Sequence, residues 1–284
     1  MRSVSLIVLT LSLTTLRAEI PKPTDAPQPL SPEDSRQQFT IPDGFRIDLI
    51  ASEPLIADPS CVAWDEHGRL FVTEIHGYNL EGQLDVNELN KTGKLDTAIR
   101  RVRVGPEMKA EAQNGQTGHL KLLKDTNGDG VMDEVIVWAS DIPAAYGVIA
   151  ARGGVIVTAA PDILFFADTD GDDQPDVRET LFTGFEVGEM ERAINNPVWG
   201  VDNWLYAGQG WSGGTVSGPK LKETVTLGRT DFRFRADGSA IEPVSGSNHT
   251  FGMAFDDFGH RWLITTSQHA QYALPLPHRY LIRN

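Results

Sequence analysis

Two acidic loops of the same design, 43 residues apart, constrain this chain more than any other feature. The segment HLKLLKDTNGDGVMDEVIVW (119–138) runs from an apolar stretch through an acidic loop into a second apolar stretch, and DILFFADTDGDDQPDVRETL (162–181) repeats that order. A second element recurs: AWDEHGRLFVT (63–73), AARGGVIVTA (150–159), WGVDNWLYAG (199–208) and AFDDFGHRWLIT (254–265) each lead an apolar approach into a turn and then a β-rich run. In the third unit a plain turn within DFRFRADGSAIEPV (231–244) stands where the acidic loop would be, with Ala236-Asp237-Gly238 as its hairpin signal. Self-similar antiparallel units of roughly 40–60 residues are what propeller blades supply, whereas a sandwich seldom repeats its sequence at such a period. The expected fold is therefore all-β, a β-propeller. Strands are predicted at FRIDLIA (45–51), RLFVTEI (69–75), HLKLL (119–123), EVIVWA (134–139), GVIVTAA (154–160) and DILFFA (162–167), each bounded by turn residues.

Ahead of these units, residues 1–18 read as a signal peptide: Arg2 precedes an uncharged run from Ser5 to Leu16 that ends near Arg17-Ala18-Glu19. A membrane anchor would need about 20 apolar residues, and no later stretch is long enough to span. Residues 19–30 hold four prolines and read as a linker. Ser31-Pro32-Glu33-Asp34 then starts a short helix, with Ser31 as cap and acids at its positive end. The expected organisation is signal peptide 1–18, linker 19–30 and propeller 31–284. Export to the periplasm or beyond follows from the leader.

With 39 acidic against 25 basic residues the net charge is −14, and removal of residues 1–18 takes away Arg2 and Arg17. This excludes a nucleic-acid binder driven by net charge. Cys61 is the single cysteine, so neither an internal disulfide nor a cysteine-rich zinc site can form within one chain.

The acidic loops carry oxygen ligands at positions 1, 3, 5 and 9: Asp125, Asn127, Asp129 and Asp133, then Asp168, Asp170, Asp172 and Asp176. That spacing suits a hard cation, Ca²⁺, in a structural role. Neither loop completes an EF-hand, since Ile136 stands at position twelve of the first and Asp173 at position six of the second. The bland alternative is a solvated acidic turn eased by Gly128 and Gly171. Among the histidines no HExxH pattern occurs. His249, in SGSNHTFG just before a strand, and His76, just past FVTEI, are the candidate catalytic bases. The glycine-rich GQGWSGG (208–214) would let a ligand approach backbone, and Trp211 within it offers a ring to stack on a sugar or a planar quinone.

The strings IPDGFRIDLIASEPLIADPSCVAWDEHGRLFVTEIHGY, PDILFFADTDGDDQPDVRETLFTGF, VWGVDNWLYAG and FGMAFDDFGHRW together resemble the N-terminal propeller of the membrane-bound dehydrogenase family of planctomycetes and verrucomicrobia. That propeller is similar to soluble glucose and sorbosone dehydrogenases that use pyrroloquinoline quinone (PQQ). The resemblance implies a six-bladed propeller, incomplete in this chain, that oxidises a carbohydrate or alcohol hydroxyl. It further implies a histidine base, Ca²⁺ and arginines on the quinone's carboxylates, and a cytochrome c electron acceptor. His249 is the first choice for the base and His76 the second; Arg229, just before DFRFR, is the arginine to test, and Trp211 of the glycine loop is the other cofactor-binding candidate. Two other classes stay open: a non-catalytic, calcium-stapled propeller that binds a glycan or protein, and a hydrolase or lactonase with a central calcium.

Overall fold

The computed structural model describes residues 30–76, 118–187, 193–210, 213–246, 249–265, 268–274 and 280. Residues 1–18, expected to be a signal peptide, and most of the expected linker 19–30 lie outside them. Apart from one short helix, the regular structure among the described residues is strand, arranged as antiparallel sheets set face to face around a channel: a β-propeller.

The first sheet is a meander of β1 (Pro59–Trp64), β2 (Leu70–Ile75), β3 (Gly118–Lys124) and β4 (Glu134–Ile142). The second repeats it with β5 (Gly147–Ala151), β6 (Gly154–Ala159), β7 (Asp162–Ala167) and β8 (Val177–Phe185). The third contains β9 (Asn195–Trp199), β10 (Leu205–Gly208), β13 (Phe232–Phe234) and β14 (Ile241–Pro243). The last described sheet is β15 (Thr250–Phe255), β16 (Arg261–Thr265) and β17 (Gln268–Ala273). The first strands of successive sheets, β1, β5, β9 and β15, pack side by side in that order and border the channel.

Period-2 alternation explains the face-to-face stacking. On β6, Val155, Val157 and Ala159 enter the core shared with the first sheet, while Ile156 enters the core shared with the third. On β7, Leu164 and Phe166 face one way and Ile163 and Phe165 the other. Between the second and third sheets Phe182 meets Phe234 edge-on at 5.7 Å, and Phe185 meets Phe232 at 5.1 Å.

Two departures from the sequence expectation have clear physical causes. FRIDLIA forms no ladder: Ile50 and Ala51 instead lie with Ile56 over Leu70, Val72 and Leu123, and Ile50 O accepts from Met132 N at 2.8 Å. The segment thus covers the free face of the first sheet rather than extending it. Between β10 and β13, the chain also makes a hairpin, β11 (Gly214–Ser217) and β12 (Val225–Leu227), that pairs with β8 of the neighbouring sheet. Gly184 and Gly214 permit that junction, because a Cβ on Gly184 would sit 2.3 Å from Thr215 O and one on Gly214 2.4 Å from Gly184 O. The helix α1 (Pro32–Arg36) forms as expected, Ser31 accepting from Asp34 N.

Phe182 is fully buried at the seam of the second and third sheets. Phe182→Ala is expected to destabilise the chain by about 3–5 kcal/mol, measured as a lowered urea midpoint with an unchanged slope.

Candidate functional site

Antiparallel alternation sorts the loops to two ends. At the upper end the channel strands begin and the β2–β3 and β6–β7 connections lie; at the lower end are the β1–β2 turn and both acidic loops.

A cavity of about 180 Å³ opens where β1, β5, β9 and β15 begin, lined by Ser60, Cys61, Tyr146, Ala193, Asn195, Asn196 and Phe251. Its polar groups satisfy backbone that the converging strands would otherwise leave unpaired. Ser60 Oγ donates to Ala145 O at 2.6 Å and meets Thr73 Oγ1 at 2.9 Å. Asn195 Nδ2 donates to Ala193 O and Thr250 O, joining β9 to β15, while its buried Oδ1 has no hydrogen-bond partner among the described residues. Asn196, at φ 47°, donates from Nδ2 to Met253 O and from its backbone N to Tyr146 O. Gly147 is needed here, because a Cβ would lie 2.2 Å from Pro197 Cδ. Burial pushes the Cys61 thiol above its ordinary value, so it contributes a neutral wall.

His249 stands at the rim. Its ring meets Phe251 at 5.9 Å, and its backbone bridges Gly210. Beside Gly210, the buried Gln209 donates from Nε2 to Gly228 O and Thr230 O and accepts from Gly213 N at 2.7 Å. The exposed Arg229 lies between the two carbonyls that Gln209 holds. His249 and Arg229 are therefore gathered at one rim through Gln209 and Gly210. Trp211 lies outside the described residues. Ser60, Asn195, Asn196 and Gln209 were not singled out by sequence reasoning; the Asn-Asn-Pro string that opens β9 was the available signal.

His76 is at the same end but does not line the cavity. It shares a hydrogen bond with Glu74 Oε2 at 2.8 Å, and its ring meets that of His119 at 4.1 Å. Glu74 is fully buried; its Oε1 accepts from Lys121 Nζ and from Ala57 N, each at 2.8 Å. Burial alone would raise the Glu74 carboxyl, but the bonds from Lys121, Ala57 and His76 outweigh it and hold it below the usual range. Burial, with His76 and Lys121 nearby, lowers His119.

The acidic loops occupy the lower end and are internally hydrogen-bonded. Asp125 accepts from the backbone of Gly128, Asp129 and Gly130, and the Gly130 bond is the largest influence holding its carboxyl low. Asn127 accepts from Asp129 N, Asp129 from Val131 N, and Asp133 from Thr126 and Asn127. In the second loop Asp168 accepts from Gly171 N and Asp173 N, Asp172 from Gln174 N, and Asp176 from Thr169. Carboxylate oxygens of Asp168, Asp170 and Asp172 lie within 4.8 Å of one another. Lys124 of the first sheet reaches Asp173 at 2.5 Å, tying the loops together.

The family model described as a domain of unknown function (DUF7133) matches residues 31–284. No curated protein matches the sequence. Among solved structures, the PQQ-bound aldose sugar dehydrogenase of Streptomyces coelicolor is similar at 17% identity and a TM-score of 0.48, over 80% of this chain and 62% of that one. A chain of the nidogen/laminin complex is similar at 13% identity and a TM-score of 0.42, over 76% and 60%. Virginiamycin B lyase of Staphylococcus aureus follows at 14% and 0.36, over 78% and 71%. The present chain thus spans less than two thirds of the first two, and these likenesses carry no activity across. No helix among the described residues is long and apolar enough to cross a membrane.

Lys121→Ala would leave the Glu74 carboxylate buried without its cation, and is expected to cost about 3–5 kcal/mol in urea unfolding. Because the folded pKa of Glu74 is depressed, its contribution is fully present above the ordinary glutamate value near ~4.3. It should be lost as pH falls through the lower folded value, a loss absent from Glu74→Gln.

Proposed function

The chain belongs to the DUF7133 family, and on that premise we propose that it is part of an exported dehydrogenase-like propeller that oxidises a sugar or alcohol hydroxyl with PQQ. The observation that supports this is the upper rim, where His249 adjoins a cavity with uncharged polar groups and one aromatic face. Amide and hydroxyl groups such as those of Ser60 and Asn195 both donate to and accept from sugar hydroxyls, and Phe251 can cover a C–H face. Asn195 Oδ1, buried without a partner, is an acceptor available to such a hydroxyl.

In this account His249 takes the hydroxyl proton on its imidazole, and the quinone, when bound, supplies the hydride acceptor. Gln209 holds the rim loop so that His249 and Arg229 stay on one side of the channel. The described cavity wall carries no cation, so the quinone's carboxylates would be met at the rim by Arg229, and Trp211 of the glycine-rich string 208–214 would supply a ring to stack on the quinone. The sequence resemblance to the membrane-bound dehydrogenase family points the same way, with export by the leader, a periplasmic or secreted location and a cytochrome c acceptor. The acidic hairpins lie at the opposite end from this rim and would use Ca²⁺ as a structural staple. A hydrolase built on a central calcium would hold it with inward-facing Asp, Asn or Glu oxygens, of which the described cavity wall offers Asn195 and Asn196.

Titrating the chain with PQQ and Ca²⁺ should change the quinone's absorbance stoichiometrically and support dye reduction on a sugar panel. His249→Asn should lower turnover by about 10²–10⁴-fold while leaving the quinone titration intact, whereas Arg229→Ala should weaken that titration. No absorbance change at quinone well above micromolar, with a glycan still bound, would replace this account by a recognition propeller. For the hairpins, Ca²⁺ should raise the melting midpoint, and Asp168→Asn with Asp172→Asn should remove part of that rise.

A further inference from the structure

Three side chains with metal-binding atoms share one face of the first sheet at its upper end, away from the channel cavity: Glu74, His76 and His119. Topology brings them together. Glu74 and His119 are direct partners across the β2–β3 ladder, and His76 is two residues past Glu74, a step that returns to the same face. One ligand atom from each lies within 4.8 Å of the other two, and the two rings meet edge-on.

The surrounding bonds aim these atoms. Lys121 Nζ and Ala57 N occupy Glu74 Oε1, which leaves Oε2 turned toward the His76 ring. His119 Nδ1 is buried with no hydrogen-bond partner among the described residues. A purely structural cluster accounts for the Glu74 contacts but gives that nitrogen nothing to do.

We propose that Glu74, His76 and His119 bind a divalent transition ion of the zinc type through two imidazoles and one carboxylate. This donor set selects borderline ions over Ca²⁺, which prefers oxygen. Tetrahedral binding needs ligand atoms about 3.3 Å apart, given metal–ligand bonds of about 2.0–2.1 Å. The required closure falls to His76, whose side chain is 40% exposed and would exchange its hydrogen bond to Glu74 Oε2 for the metal. The same exposure leaves a fourth position to solvent, the arrangement of zinc centres that act on a bound water. Lys121 plays the outer part, orienting the carboxylate while opposing a second positive charge, which makes the site weaker than one with an unpaired glutamate. A ligated His76 has its Nε2 lone pair on the metal and its proton on Nδ1.

The test is a Co²⁺ titration of the whole chain in excess Ca²⁺, which competes for the oxygen-only acidic loops. One equivalent should give a visible d–d spectrum that Zn²⁺ displaces, and His76→Ala or His119→Gln should each weaken binding by more than about tenfold. No spectrum at millimolar Co²⁺, or equal binding by His76→Ala, would overturn the proposal. Should a variant fail to fold by circular dichroism, ¹⁵N-histidine spectra of the unaltered chain decide the matter. Zn²⁺ must then shift the ring nitrogens of His76 and His119 and leave those of His260 in place, and unmoved His76 and His119 signals would overturn it equally.

Discussion

The second strands of the first three sheets have no solvent side. β2, β6 and β10 are buried at every position, so these sheets must be covered on both faces, by neighbouring sheets and, on the free face of the first, by the segment holding Ile50, Ala51 and Ile56. Stacking twisted sheets face to face while their first strands converge leaves a channel, with the cavity at one end of it and the acidic loops at the other. Where β5 and β9 approach most closely, Gly147 removes the side chain that would collide with Pro197. The cost of convergence is polar: the backbone at the starts of four strands must find partners within a small space.

Ser60, Asn195, Asn196 and Gln209 meet that need, and in doing so they give the cavity and its rim their chemistry. Asn195 commits its amide to carbonyls of two chain segments, and its carbonyl oxygen has no hydrogen-bond partner among the described residues. A group installed to satisfy backbone thereby becomes a group that can read a hydroxyl. Gln209 works in the same way one turn further out, since the bonds that hold its loop also set Arg229 and His249 on a common rim.

The lower end is ruled by aspartate turns. Asp65 accepts from the backbone of His67 and Arg69 and pairs with the Arg69 side chain, and Asp256 does the same with Phe258, His260 and the His260 ring. Gly68 and Gly259 both take φ 77°. These hydrogen bonds hold the Asp256 carboxyl at about 2 despite the opposing effect of desolvation. Between sheets, Lys124 to Asp173 and Arg69 to Asp168 cross the seam, so part of the acidic excess is spent on joining neighbours.

What was legible in the sequence was local. The Asp-x-x-Gly turns, the paired acidic loops, the Ser31 cap and most strands depend on residues within a few positions of one another, and the same short-range hydrogen bonds recur wherever the string recurs. FRIDLIA misled because its alternation fits a strand, yet Ile50 found a sheet face to cover rather than an edge to pair with. The β11–β12 hairpin, which begins where the glycine-rich string ends and carried no strand expectation, was captured by the neighbouring sheet. The sites lay further beyond reach. Glu74 and His119 become partners only through the β2–β3 register, and His249 meets Gly210 only once the third and fourth sheets are stacked. Composition and period determined that the chain would form repeated antiparallel sheets. Tertiary structure alone decided which distant side chains share a face, because register and stacking are set by burial summed over whole sheets and not by any neighbour in the chain.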